Sequence, residues 1–201
     1  MRIEKSYLIE TWRELWLLFF LVLSSLPLQA QDERPQPQPD GVEDILRFVP
    51  MASVYVLKGC GVESASSWRR LLVNNAASLV VGAAVTYSVK FSVSSERPDH
   101  SDDHGFPSGH SMVAFAGAHL LAKEYGHHSP WISVAGYATA TAVSIERIRH
   151  DHHNWWQCAA GAAIGIGATE VGYWIGDKLT GERSRLSVVP TPNGIDVAYT
   201  F

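Results

Sequence analysis

Cysteine is scarce in this chain of 201 residues, with only Cys60 and Cys158 present. That excludes a disulfide framework and a thiolate zinc cluster, and leaves either two separate thiols or one bridge. A surplus of positive charge is also missing. Sixteen Lys and Arg stand against 20 Asp and Glu, for a formal net charge of −4, and the pI is near 6.1. Nothing in that balance favours nucleic acid as a partner. There is no internal repeat. Beyond residue 40 no run of about twenty clean apolar residues suits a bilayer crossing; residues 131–145 and 158–176 come nearest. The mean hydropathy of −0.01 is low for a multi-pass protein. What is plentiful is ordinary core material. Hydrophobic residues make up 46% of the chain, enough at this length for one domain with a sizeable interior.

The ends differ from the middle. Residues 1–30 carry a short apolar core, LWLLFFLVL at 15–23, ahead of Leu28-Gln29-Ala30. This is the pattern of a signal peptide or an uncleaved signal anchor, and either puts the rest of the chain outside the cytoplasm, in the periplasm. Residues 31–41 (QDERPQPQPDG) have nothing to bury and are expected to form a disordered linker. The folded domain is expected over 42–182.

Within that domain the pattern is helical, and the expected class is all-α, a bundle of about five core helices. A first helix is predicted over 44–58, stopped by Gly59 and Gly61. A second begins at a Ser66 or Ser67 cap and runs to about Ser92. The third covers 107–125 and ends at Gly126. Pro130 opens a fourth that ends near Arg149, and a fifth runs from about His153 to Leu179. In the tail, 183–201, Asn193-Gly194 between two β-prone stretches predicts a short β-hairpin, with a frayed polar tail as the alternative.

Three stretches carry chemistry: Lys90 with Arg97-Pro98, then Pro107-Ser108-Gly109-His110, then Arg147 with His153. Lys and Arg hold fixed positive charge for a tetrahedral oxyanion. A Ser-Gly pair opening a helix adds a hydroxyl and unpaired backbone N–H groups for the same anion. Two His residues can divide the work of nucleophile and general acid. Alone, a Lys and an Arg seven apart usually belong to a solvated surface; the second motif, about ten residues on, lifts them above that. Arg149, His150, Asp151 and His152 crowd His153, yet loop histidines are more often solvated than ligating, and no zinc-type spacing can be assigned.

In order and spacing these stretches resemble the type 2 phosphatidic acid phosphatase (PAP2) superfamily, which also holds bacterial class A acid phosphatases and vanadium haloperoxidases. The resemblance covers about residues 90–157. It implies that Lys90, Arg97 and Arg147 bind phosphate oxygens, helped by Ser108 and the backbone of Gly109. It implies that His153 attacks phosphorus to form a phosphohistidine. His110 then protonates the leaving oxygen and afterwards activates water. No metal ion or other cofactor is implied. The implied partner is a phosphorylated lipid or small phosphate ester met at a membrane surface, with no nucleic acid.

Two positions depart from the family pattern. Glu146 stands where Ser or Thr usually precedes the arginine, and its carboxylate can compete for Arg147. Gln157 stands where the third motif ends in Asp, four residues after His153. The family's Asp orients the nucleophile and offsets its developing charge. A Gln oxygen can accept the Nδ1 hydrogen bond but brings no negative charge, and Asp151 is a substitute only if its loop folds back. On this reading Gln157→Asp should raise turnover by about tenfold or more, which needs some 1.4 kcal/mol. The expected function is an extracytoplasmic phosphatase. The alternatives are a catalytically weakened relative that binds phosphate or anionic head groups, and vanadate-dependent halide oxidation.

Overall fold

The computed structural model describes residues 41–100, 102–182, 186–191 and 194–199. The expected signal segment, linker residues 31–40 and the rest of the tail lie outside the described residues. Among the described residues there are six helices: α1 Val42–Leu46, α2 Val49–Gly59, α3 Trp68–Ser92, α4 Gly109–Tyr125, α5 Pro130–Arg149 and α6 Trp155–Thr180. Strands β1 Leu186–Thr191 and β2 Gly194–Tyr199 follow, antiparallel, with Leu186 opposite Tyr199 and Thr191 opposite Gly194.

Local chemistry explains most boundaries. Ser67 caps α3 by accepting from the Arg70 N–H, Ser108 caps α4 through Ser111, and Ser129 caps α5 ahead of Pro130. Gly181 closes α6 at φ 71°, a left-handed conformation that suits glycine. The predicted first helix is two helices. Pro50 has no N–H for the Leu46 carbonyl, so the chain breaks at Arg47-Phe48 and restarts with Pro50 in the first turn of α2. The third helix starts two residues later than predicted because Ser108 is its cap. The fifth starts at Trp155 because Asn154 and Gln157 form a capping box.

α6 is the central post, packed most extensively against α3 and α4, with α4 in turn against α5 and α2. Ala114, Ala118, Ala140 and Val143 form a buried cluster between α4 and α5, with Leu46, Phe115 and Tyr137 packed on it. The far end of the bundle is polar inside. Buried Glu124 accepts from Ser66 Oγ at 2.6 Å and Tyr173 OH at 2.5 Å, and Arg70 pairs with Asp177 at 2.6 Å. α3 is the one helix among the described residues long and apolar enough to cross a membrane by length and composition. That corrects the choice of 131–145 and 158–176, because the basic residues of α3 sit near its ends and leave an uncharged middle.

The small-residue run of α6 sets the helix spacing. A Cβ at Gly161 would lie 2.3 Å from the Ser108 carbonyl oxygen, and one at Gly165 would lie 2.3 Å from that of Met112. Backbone therefore meets backbone at these two positions, and α4 holds its place only because no side chain projects from α6 there. Gly161→Ala is expected to lower stability by roughly 1–3 kcal/mol through overpacking. Gly167→Ala, where a Cβ meets nothing within 4 Å, should be neutral or mildly stabilising. Equal melting temperatures for the two variants would refute this packing.

Candidate active site

Four chain segments meet at one end of the bundle: the C-terminus of α3, the N-terminus of α4, the C-terminus of α5 and the N-terminus of α6. The loop from Val93 to Pro107 lies between the first two. It is held by its own backbone, with Ser95 N–H bonded to Asp103 O at 2.8 Å and Gly105 N–H to Ser95 O at 2.7 Å. It is also tied to the turn between α5 and α6. Asp99 N–H donates to Asp151 O at 2.9 Å, and His152 Nδ1 lies 3.0 Å from Asp99 Oδ2.

His153 stands at the start of α6, 3% exposed. Its Nδ1 is 3.1 Å from Gln157 Oε1, which also accepts the Asn154 N–H at 3.0 Å. The amide's other end donates to Ser95 Oγ at 3.1 Å and the Glu96 carbonyl at 3.4 Å. Two of these partners fix which way the amide faces: the Asn154 N–H can only donate, so it meets the amide oxygen, and the Glu96 carbonyl can only accept, so it meets the amide N–H. The His153 tautomer follows. Nδ1 carries the hydrogen, and Nε2 keeps the lone pair a nucleophile needs. Burial, with Arg97, Arg147 and Lys90 nearby, lowers the pKa of His153 to about 3, against the pull of the Gln157 bond. The ring is neutral across the ordinary pH range.

The cations surround this ring. Arg147 is 3% exposed at the end of α5. Arg97 Nε is held by Asp102 Oδ1 at 2.9 Å, and Lys90 Nζ donates to the His104 carbonyl at 2.6 Å. Burial and the charge of Arg97 both lower the pKa of Lys90. Across the site, Ser108 is fully buried; its N–H donates to the Gln157 carbonyl at 3.0 Å, which joins α4 to the first turn of α6. A Cβ on Gly109 would meet no heavy atom within 4 Å, so the first turn of α4 is open to an approaching group. His110 follows on that turn, also within the field of Arg147. Lys90, Arg97, Arg147, His153, Gln157, Ser108 and His110 are thus brought to one end of the fold.

Groups at α1 and in the loop before α4 escaped the sequence reading. Ser95 and the Glu96 carbonyl anchor Gln157, and no local pattern marks them. Glu43, 5% exposed, sends Oε1 to 3.6 Å from Arg147 Nη1. It does what was expected of Glu146, whose carboxylate instead pairs with Arg149 at 3.3 Å. Asp151 is exposed, and the Nδ1 side of His153 is served by Gln157. Both cysteines are free thiols, Cys60 exposed and Cys158 buried. Among the described residues no group of three His, Cys, Asp or Glu side chains is arranged to hold a metal ion.

Comparison with known proteins agrees with the motifs. The lipid A 1-phosphatase of Porphyromonas gingivalis is 37% identical over 139 residues, 69% of this chain and 31% of that protein. The chain therefore spans less than a third of that relative's length. The crystal structure of LpxE from Aquifex aeolicus aligns with 78% of this chain and 93% of its own, at a TM-score of 0.48 and 17% identity. The family model of the PAP2 superfamily matches residues 71–180, which hold every one of the motif residues. By that match, over more than half its length, the chain belongs to the PAP2 superfamily.

Proposed function

We propose that the chain is a phosphatase that hydrolyses a phosphorylated lipid outside the cytoplasm, through a phosphohistidine on His153 and without a metal ion. The observation that carries this reading is the His153–Gln157 pair at 3.1 Å, which leaves Nε2 unprotonated beside Lys90, Arg97 and Arg147. Such a nitrogen can attack phosphorus while the three cations balance charge on the equatorial oxygens. His110 gives a proton to the leaving oxygen and takes one from the water that cleaves the intermediate. The reaction consumes ester and water and yields alcohol and phosphate.

Two things favour a lipid substrate. The curated relative is a lipid A 1-phosphatase. Large apolar side chains also stand in solvent, among them Phe91 at 76%, Trp155 at 72% and Trp131 at 67% exposed. Phe91 and Trp155 lie on the two helix ends that border the site, where they would meet acyl chains or a membrane surface. A second reading, phosphate or head-group binding without efficient turnover, is favoured by the neutral Gln157 beside His153.

Purified full-length protein should release phosphate from one or more of lipid A 1-phosphate, phosphatidate, phosphatidylglycerophosphate and polyprenyl pyrophosphate. Release should be faster than from soluble phosphate esters and unchanged by EDTA. Activity that vanishes with the chelator and returns with a divalent ion overturns the metal-free mechanism. Phosphate binding with no release from any ester supports the second reading.

A further inference from the structure

α1 and the Arg47 that follows it precede the span matched by the superfamily, residues 71–180. They nevertheless put three charged side chains into the site. Glu43 Oε1 lies 3.6 Å from Arg147 Nη1 and 3.5 Å from His150 Nδ1. The other two converge on one atom. Asp44 Oδ1 is 2.5 Å from His110 Nε2, and Arg47 Nη1 is 2.7 Å from the same nitrogen. Asp44 and Arg47 are themselves 3.4 Å apart, three residues along the chain.

One ring nitrogen cannot bond to both at once. With its hydrogen, Nε2 donates to the carboxylate and repels the guanidinium, which has donors only. Without it, Nε2 accepts from Arg47 and repels Asp44. Each protonation state of His110 thus has its own partner, already in place. A group that gives up a proton in one half-reaction and recovers it in the next has both states held in one position.

We propose that Asp44 and Arg47 form a two-state cradle for His110, Asp44 holding the ring as an acid and Arg47 holding it as a base. This rests on the reading of His110 as the proton-transfer group. In the first half-reaction the imidazolium of His110 gives its Nε2 proton to the leaving oxygen, which replaces Asp44 as its partner; Nδ1 keeps its own hydrogen, and the bare Nε2 of the now neutral ring turns to Arg47. In the second, water gives its proton to Nε2 as its oxygen bonds to phosphorus and the phosphorus–His153 bond breaks, and Asp44 takes the ring back. Asp44 and Arg47 are positioning residues; they act only through His110.

The charged groups facing His110 are Asp44, Arg47 and, from α5, Arg147. Burial and the two arginines lower its pKa, and Asp44 opposes them. The two substitutions therefore have opposite signs. Asp44→Asn removes the support of the acid form, so the alkaline limb of kcat moves to lower pH by about one unit. Arg47→Gln removes a repelling charge and moves that limb up. Asp44→Asn should also cut kcat about tenfold for an alkyl phosphate while sparing an activated aryl phosphate, with KM little changed.

The test combines those profiles with 15N spectra of histidine-labelled full-length protein, which read the His110 titration directly. Opposite displacements in the two variants support the cradle. No displacement, or two of the same sign, overturns it. So does a rise in kcat/KM for Asp44→Asn, which would mark α1 as a plug over the site. If the wild type hydrolyses no ester, the phosphatase reading falls, and the spectra still decide the cradle.

Discussion

His153→Ala is expected to reduce phosphate release by about 10⁴-fold or more, the scale seen when a covalent nucleophile is removed from a catalytic unit. The ring is the group in the site with an unprotonated nitrogen fixed by a hydrogen bond on its far side. Lys90, Arg97 and Arg147 stay in place, because the His104 carbonyl, Asp102 and Glu43 hold their side chains, and the bond from the residue-153 N–H to the Arg147 carbonyl belongs to the backbone and survives the change. Phosphate and vanadate should therefore still bind, with affinity within a few-fold of wild type by titration calorimetry. Equal turnover in wild type and His153→Ala would take His153 out of the chemistry.

Gln157 should give the second-largest effect. The fully buried amide joins four partners: the His153 ring, the Asn154 N–H, Ser95 Oγ and the Glu96 carbonyl. Gly105 lies against it, since a Cβ there would come within 2.7 Å of Gln157 Nε2. Gln157→Ala unhooks the His153 ring and the Val93–Pro107 loop together. At about 1 kcal/mol for each lost hydrogen bond, roughly 2–4 kcal/mol of stability goes, and kcat should fall about 100-fold or more. Limited proteolysis within the loop should speed up in step. If Gln157→Ala retains wild-type turnover and loop protection, Gln157 has no such part.

The geometry also changes what an acidic residue at 157 would do. An aspartate is one methylene shorter and has no N–H for the Glu96 carbonyl, so the charge it brings is set against a loosened loop. Gln157→Glu also lacks that N–H but keeps the length, so it brings the charge to His153 without the shortening. A carboxylate at Nδ1 favours the protonated ring and raises the pKa of His153 from about 3. Since the attacking form in the proposed mechanism is neutral, the variant should acquire an acid limb in kcat/KM between about pH 3 and 6.5, in a range where the wild type has none from this ring. Coincident acid limbs would show that residue 157 does not govern the ring.

Much of the fold is legible in the sequence because its signals are local. Ser67, Ser108 and Pro130 mark helix starts that need no tertiary information, and Gly126 and Gly181 mark ends. The break at Arg47-Phe48 was legible too, since Pro50 cannot sit inside a helix, but the apolar spacing over 44–58 hid it. The motif residues could be read by type and order. Their supports could not. Ser95 and Glu96 reach Gln157 across about sixty residues, and Asp44 reaches His110 across 66. Before folding, Glu43, Asp44 and Arg47 look like an ordinary charged helix start. Only the bend before α2 turns them toward the site.

Gly161 and Gly165 make the separation between the start of α6 and the start of α4 a backbone dimension. Gly161 touches the Ser108 carbonyl one turn below Gln157, so no side-chain rearrangement can widen or narrow that gap. α1, the loop before α4 and the aromatic rim at Phe106 and Trp156 are built from side chains and can be resculpted piece by piece. On the proposed function, attempts to change the head-group preference should therefore randomise the rim and leave the α4–α6 contact alone. Libraries that touch Gly161 or Gly165 should yield folding failures rather than new specificities.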